Sequence, residues 1–374
     1  MRPQFLLIWA AVLGLAACAG RPPARPVVAL KVSQAAIKPA LPAPTVPSPI
    51  TPTVQAESSA NEVTPTAFAA LPGWAGDDHA AALRAFQASC PAQRAAAMVG
   101  VCQRALMLIQ PDEVQSRRFF EANFVPEPPH QSGLLTGYFT PIYEARAAPE
   151  GEFTAPVRPP PADSHYSDRA VIERRSPADA VAWMRPEDLF FLQIQGSGVL
   201  VFADGARMKA VFDGANGAPF SGIAAPLRQK GLLADDNTSA AAIHDWLARN
   251  RGPEAEAMMD LDRRYVFFRL QPDDGLTPSG AAGARLTPGR AVAVDPTLHA
   301  MGEVLWIDAE APALTGAFPV YRRLAVALDT GNAIKGESRA DLYLGEGPDA
   351  GLEAGRVRHT LRLYRLEPIV ASAR

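Results

Sequence analysis

The chain has 374 residues and sets 36 Lys+Arg against 39 Asp+Glu, a formal net charge of −3. With 48% hydrophobic and 20% charged residues it is no disordered polyelectrolyte. It also lacks the basic surplus with which a nucleic-acid binder replaces phosphate counterions. Its length allows two or three domains. Proline is the outlier: 36 residues, roughly twice the usual ~5%.

Residues 1–18 read as an export signal. Arg2 supplies a positive charge, and Phe5–Leu15 is an apolar run too short to span a bilayer but suited to a signal h-region. The run ends in Leu15-Ala16-Ala17-Cys18, which resembles the bacterial lipobox. That resemblance implies that Cys18 becomes the lipid-bearing first residue; a plain cleavage site with an incidental cysteine is the alternative. Several acyl chains together give firm membrane attachment, where one binds only marginally. Ala19, in place of an Asp, resembles Gram-negative lipoproteins sorted to the periplasmic face of the outer membrane. Residues 19–73 then form a tether: eleven prolines lie between Arg21 and Trp74, with no aromatic residue before Phe68. Such a stretch buries too little surface to offset its ordering entropy, so an extended, disordered, partly polyproline spacer is expected.

The folded body begins at Trp74. Asp77-Asp78 opens a helix carrying Ala82, Leu83 and Phe86. Apart from Cys18, the cysteines are Cys90 and Cys102. In an exported chain a disulfide is the natural reading, with two buried free thiols as the alternative, because spacing does not show that the side chains meet. Pro111-Asp112 opens a second helix with Val114, Phe119 and Phe120 on its apolar side. Leu134–Thr140 reads as a strand ending at Pro141. Further strand-like runs are Leu189–Phe202, Tyr265–Leu270, Ala291–Val294, Val304–Ile307, Leu324–Leu328 and Arg362–Leu366, interrupted by helices near Ser239–Ala248 and Pro253–Leu261. Many strands, few helices and no steady βαβ alternation predict a mainly β body of barrel type.

The six histidines are scattered and no cysteine cluster exists, so neither a metal site nor a cofactor is expected. Gly196-Ser197-Gly198 fails as a nucleophile elbow because Gln195 stands where glycine is needed. Gly345-Glu346-Gly347 with Gly351 has the wrong spacing for a dinucleotide fingerprint. The dense segment is Ala325–Gly351: an apolar strand runs into Asp329, a Gly-rich turn follows, and Asp341 sits among Ala340, Leu342 and Tyr343. Apolar neighbours would raise the pKa of Asp341 by desolvation and let it serve as a general acid. Capping of turns by both aspartates is the other reading, since Asp beside Gly commonly does that.

This segment resembles the 3D domain, named for its aspartates, of the MltA family of membrane-bound lytic murein transglycosylases. Three further blocks agree. Leu134–Pro141 resembles the family's L-T-G-Y-Y-x-P block, and Phe191–Gly198 its F-x-Q-x-Q-G-S-G block. Tyr265–Phe268 followed by Leu286–Arg290 and Ala293–Pro296 resembles its Y-V-F-F and L-T-P-G-R-x-x-A-V-D-P pair. The resemblance covers about Trp74 to Leu366. It implies a double-psi β-barrel of residues 74–141 and 276–366, an inserted β-rich domain of residues 142–275, and a tail of residues 367–374. It also implies cleavage, without water, of the β-1,4 bond between N-acetylmuramic acid and N-acetylglucosamine in peptidoglycan glycan strands, leaving a 1,6-anhydromuramoyl end.

By motif match the family's catalytic aspartate falls on Asp341. Asp329 is assigned a supporting role, orienting the Gly-rich turn or Asp341, against the alternative of a plain turn cap. Thr136, Gln193, Gln195 and Ser197 are implied to line the glycan groove as polar residues in apolar strand frames. Lys335 is placed either on the saccharide or in solvent, and Tyr138, Trp306 and Tyr343 are candidate sugar-stacking faces. One departure stands out. Relatives commonly carry a G-K-N-G-x-P-Y turn, which here is Gly214-Ala215-Asn216-Gly217-Ala218-Pro219-Phe220. A non-catalytic, expansin-like wall-binding lipoprotein is therefore the competing function. The expected partners are glycan strands and a membrane reached through the lipid.

Overall fold

The computed structural model describes residues 67–162, 167–234, 237, 239–311 and 318–370. The export signal, Cys18 and most of the tether lie outside the described residues. The body opens with three helices, α1 (His79–Ser89), α2 (Ala96–Leu106) and α3 (Glu113–Asn123). Asp78 caps α1 by accepting the Ala81 N–H at 2.8 Å, and Asp112 with Gln115 forms a reciprocal capping box on α3. Cys90, just past α1, is disulfide-bonded to Cys102 of α2, with the Cα atoms 5.6 Å apart. Phe119 and Phe120 are buried on α3, whereas Val114 is exposed, because the first turn of the helix overhangs solvent.

The chain continues through β1 (Phe124–Glu127), β2 (Gly133–Thr140), β3 (Ile142–Ala145), β4 (Ala155–Val157), α4 (Arg169–Glu173) and β5 (Ala182–Met184). Next come α5 (Pro186–Gln195), β6 (Gly198–Phe202), β7 (Arg207–Ala215), α6 (Ala224–Gln229), α7 (Ala240–Arg249), α8 (Pro253–Met259) and β8 (Val266–Pro272). It closes with β9 (Ala291–Val294), β10 (Val304–Glu310), β11 (Val320–Thr330), β12 (Arg339–Glu346), α9 (Gly347–Ala354) and β13 (Arg358–Pro368). One sheet has the order β1-β13-β10-β11-β9-β12-β2, and pairing of β13 with β2 closes six of these strands into a barrel. Strands β3, β6, β7 and β8 form a second sheet. The molecule is thus a barrel with a second β-rich body, and richer in helix than its composition of strand-like runs predicts.

The largest departure from the sequence reading is Leu189–Phe202, which is not one strand. It is α5, a turn at Gly196, and β6. Pro186 sits in the first turn beside Glu187 and Asp188, and Gly196 ends the helix at φ 81°. The helix is packed on two sides: Leu189 and Leu192 join the core of the second sheet, while Phe190 joins a separate cluster with Trp246 and Leu247. A helix packed on two sides carries apolar residues around most of its circumference, so its 3.6-residue polarity weakens and it reads as a nearly continuous apolar run.

Alternation along the barrel strands separates two cores. Leu135, Val292, Val294, Ala340, Leu342, Leu361 and Leu363 fill the barrel interior. Residues of opposite parity, including Trp306, Leu324, Val326 and Tyr343, face outward and pack with Trp74, Phe86 and Phe120. Gly133 permits close approach at the β2–β12 edge, since a Cβ there would overlap the Ser338 carbonyl.

A buried fork locks the helical segment to the barrel. Arg290 Nη1 and Nη2 donate to Asp77 Oδ2 and Oδ1 at 2.7 and 2.8 Å. Asp77 Oδ2 also accepts the Leu324 N–H at 2.9 Å, and Arg290 donates to the Leu324 and Asp78 carbonyls at 3.0 Å. Removing one member strands the other charge, at a cost of about 3–5 kcal/mol. Asp77→Ala should therefore lose that much stability in urea unfolding; a loss below about 1 kcal/mol would show that solvent already relieves the pair.

Candidate active site

Strand β12 places Asp341 by parity. Ala340 and Leu342 point into the barrel, so Asp341 between them points out. Its parallel neighbour β2 sets Thr136 opposite it, and its antiparallel neighbour β9 sets Ala293 opposite it on the other side. The Thr136 hydroxyl donates to Asp341 Oδ1, leaving Oδ2 without a hydrogen-bond partner among the described residues. Ala293, a small side chain, keeps the space beside the carboxyl open.

A bulge supplies the second aspartate. Along β11 the pairing with β9 runs Ala327↔Val292 and then Asp329↔Ala293, so one extra residue is taken up between them. Without it, Asp329 would share the parity of Ala327, which is in the barrel core. With it, Asp329 faces outward in the same row as Asp341, one strand away on the far side of Ala293, or about 10 Å between main chains. Asp329 Oδ1 accepts the Ala281 and Thr330 N–H groups at 3.0 and 2.9 Å, and Oδ2 accepts the Tyr138 hydroxyl at 2.9 Å.

Electrostatics separate the two carboxyls from ordinary surface acids. Burial raises the pKa of Asp341; the Asp329 charge adds to this, while the Thr136 hydrogen bond and Arg339 oppose it. Burial also raises that of Asp329, against its three hydrogen bonds, and holds the Tyr138 phenol well above its ordinary value.

Both aspartates open on a cleft of about 710 Å³ between the barrel and the second sheet. Gln193, Gln195 and Ser197 line the opposite wall. The two glutamines sit at the end of helix α5 rather than in strand frames, for the packing reason given above. Gln193 is engaged by protein groups: Oε1 accepts from Arg169 at 2.6 Å and Nε2 donates to the Val266 carbonyl at 3.3 Å. Gln195 Oε1 accepts the Phe139 N–H at 3.4 Å. Lys335 is exposed, its Nζ 3.8 Å from Asp295, and is not among the residues lining the cleft.

The aromatic candidates divide. Tyr138 lines the cleft. Trp306 is buried against Trp74 with ring centroids 5.1 Å apart, and Tyr343 is buried with its hydroxyl 2.9 Å from Thr140 Oγ1, so neither presents a face to a ligand. Phe212 and Phe220, the latter in the altered turn, do line the cleft. So do Arg264, Arg269 and Arg339, none of which sequence reading singled out. For Arg339 a signal existed: it lies two residues before Asp341 and shares its strand face. No group of three or more His, Cys, Asp or Glu among the described residues is placed to hold a metal ion.

Residues 134–269 match the family described as the MltA specific insert domain, and residues 290–367 match the 3D domain. The chain is 30% identical to a membrane-bound lytic murein transglycosylase of Agrobacterium tumefaciens whose crystal structure superimposes with a TM-score of 0.72, covering 81% of this chain and 97% of that one. The chain belongs to the MltA family. Escherichia coli MltA with bound chitohexaose is 28% identical with a TM-score of 0.64, covering 78% of this chain and 90% of that one. The membrane-bound lytic murein transglycosylase A of Vibrio cholerae is 33% identical over 245 residues, 62% of this chain and 65% of that relative, so just under two thirds of its length is matched. No helix among the described residues is long and apolar enough to cross a membrane.

A raised carboxyl pKa in the folded state means that the native protein binds more protons than the unfolded chain above the unfolded value. Stability attributable to Asp341 is then lost as pH rises through that window. Asp341→Asn removes the burden while retaining an oxygen for Thr136. The substituted protein should unfold at higher urea concentration than the parent at pH 7, with the gap narrowing towards pH 4; an equal midpoint at both pH values would contradict a desolvated carboxyl.

Proposed function

We propose that this chain is a lytic transglycosylase of peptidoglycan, held by a lipid on Cys18 at the periplasmic face of the outer membrane and extended from it by the proline-rich tether. The observation that carries the reading is the half-buried Asp341 carboxyl, biased towards its protonated form, opening on a cleft wide enough for a saccharide. A relative solved with chitohexaose supports a β-1,4-linked chain of N-acetylated sugars as the occupant.

Ordinary glycosidases need two carboxyl groups because one must activate water or attack the sugar. Here a single group suffices if the substrate attacks itself. Asp341 Oδ2 gives its proton to the glycosidic oxygen as the bond to C1 of the muramoyl residue breaks. The 6-hydroxyl oxygen of that residue then bonds to C1, and its proton returns to Asp341. The nucleophile is carried on the same ring, so proximity replaces the second carboxylate. Thr136 holds Oδ1 and so leaves Oδ2 to the proton. Asp329, fixed by two main-chain amides, anchors Tyr138 in the cleft wall and raises the Asp341 pKa through its charge.

Digestion of purified sacculi followed by mass spectrometry should yield anhydromuropeptides. Asp341→Asn should cut their formation by at least about 10²-fold, the lower range for a positioned acid–base. Reducing-end products would indicate hydrolysis instead, and binding without any product would leave a wall-adhesion protein.

The reactive form of the free protein carries the proton on Asp341, so kcat/KM should fall as pH rises through its elevated pKa. The Thr136 hydrogen bond favours the carboxylate, so Thr136→Val should move that falling limb to higher pH. A limb that stays put or moves down would remove Asp341 as the titrating acid.

A further inference from the structure

Six cationic side chains line the cleft: Arg169, Lys209, Arg264, Arg269, Arg285 and Arg339. Five have partners. Arg169 is buried and donates to Glu173, Gln193 and the Asp262 and Arg264 carbonyls. Lys209 and Arg285 both engage Asp274. Arg269 lies 3.9 Å from Asp213, and Arg339 donates to the Ala340 and Leu134 carbonyls at 2.6 and 3.4 Å. Arg264 differs. Among the described residues its guanidinium has neither a hydrogen-bond acceptor nor an ion-pair partner.

The main chain around Arg264 is fixed, so the side chain springs from a rigid base. Its carbonyl accepts from Arg169 at 2.6 Å and its N–H donates to Asp262 Oδ1 at 3.3 Å. The adjoining Tyr265 N–H donates to Asn216 Oδ1 at 3.0 Å. Asp262, the nearest acid in sequence, spends Oδ1 on the Ser221 and Arg264 amides and forms no salt bridge with the Arg264 side chain. Half-burial strips this cation of part of its water, and burial lowers its pKa; the Asp262 charge opposes that shift through space, without a hydrogen bond to the guanidinium, and Arg169 adds to it.

A chain of N-acetylglucosamine is neutral and gives such a group nothing charged to meet. A muramoyl residue differs by a lactyl ether on O3 that ends in a carboxylate, or in a peptide carrying further carboxylates. Planar guanidinium matches carboxylate by a two-bonded fork. We infer that Arg264 forms a carboxylate-binding subsite for the acidic arm on O3 of muramic acid, and that this cleft thereby distinguishes murein from neutral chitin-type chains. The inference rests on the peptidoglycan reading above and adds a specificity-determining residue to it.

The test measures binding in the Asp341→Asn protein, which should not consume ligand, with three probes: chitohexaose, amidase-denuded glycan oligomers that keep the free lactyl carboxylate, and peptide-bearing glycan oligomers. Adding Arg264→Gln should weaken binding of at least one carboxylate-bearing probe by about tenfold or more, as for a lost charge-assisted hydrogen bond. The chitohexaose affinity should change by less than about threefold, within the range of a lost minor contact. Loss with the denuded probe alone assigns the free lactyl carboxylate, and loss with the peptide-bearing probe alone assigns a stem-peptide carboxylate. Loss with both assigns a subsite that takes either acid, since the lactyl carboxyl is an amide in the peptide-bearing probe. Arg264→Lys, retaining charge without the fork, should fall between the two.

An equal loss for all three probes, or no loss for any, overturns the subsite while leaving the functional reading intact. Failure of the Asp341→Asn protein to bind any probe overturns both. Thermal unfolding of each variant separates lost recognition from lost fold.

Discussion

Thr136, Asp341, Ala293 and Asp329 occupy one row across four adjacent strands because β2, β12, β9 and β11 are held in a single register. A one-residue slip in any of these strands would turn its side chains to the opposite face. Asp341 would then enter a barrel filled by aliphatic groups, and Thr136 would lose the carboxyl it holds. The barrel closure between β13 and β2 protects the register, since a closed sheet has no free edge along which strands can slide. The Asp77–Arg290 fork adds a fixed point where β9 begins.

The same packing that positions the two carboxyls makes them unusual. Each sits on the outer face of the barrel where the second sheet limits solvent, and desolvation favours the neutral form of both. The two are treated differently by their neighbours. Asp329 receives two main-chain amides and a phenol, a set that fixes its position. Asp341 receives one hydroxyl and keeps an oxygen free, a set that leaves it able to exchange a proton. The site is thus asymmetric, with one carboxyl fixed by its neighbours and the other open to the cleft.

Much of the architecture was legible along the chain. Apolar strand-like runs marked β2, β8, β9, β10, β11 and β13, and the acidic openings at Asp77-Asp78 and Pro111-Asp112 marked α1 and α3. Other elements were hidden for specific physical reasons. Helix α5 is apolar on both flanks and so imitates a buried strand. Helix α2 carries no capping side chain at its N-terminus, and α9 follows β12 within a glycine-rich segment whose glycines read as a turn. Trp306 and Tyr343 have the composition of sugar platforms, but they face the helical layer, and an aromatic in a strand reports packing before it reports ligand contact. The clustering of Arg264 and Arg339 around one cleft was not readable at all, because 75 residues of sequence separate them.

What the sequence by itself determined is the chemistry available and its local setting: an aspartate inside an apolar strand, a threonine in a second strand, and four ordered blocks resembling one family. These are properties of short windows, and short-range periodicity and spacing record them. The tertiary structure alone decided which face each residue takes, through a bulge in β11 that no spacing announces. It also decided which polar groups are spent on the protein and which remain for a ligand. Register, burial and hydrogen-bond partnership depend on segments distant in the chain meeting in space, and a linear sequence does not state that.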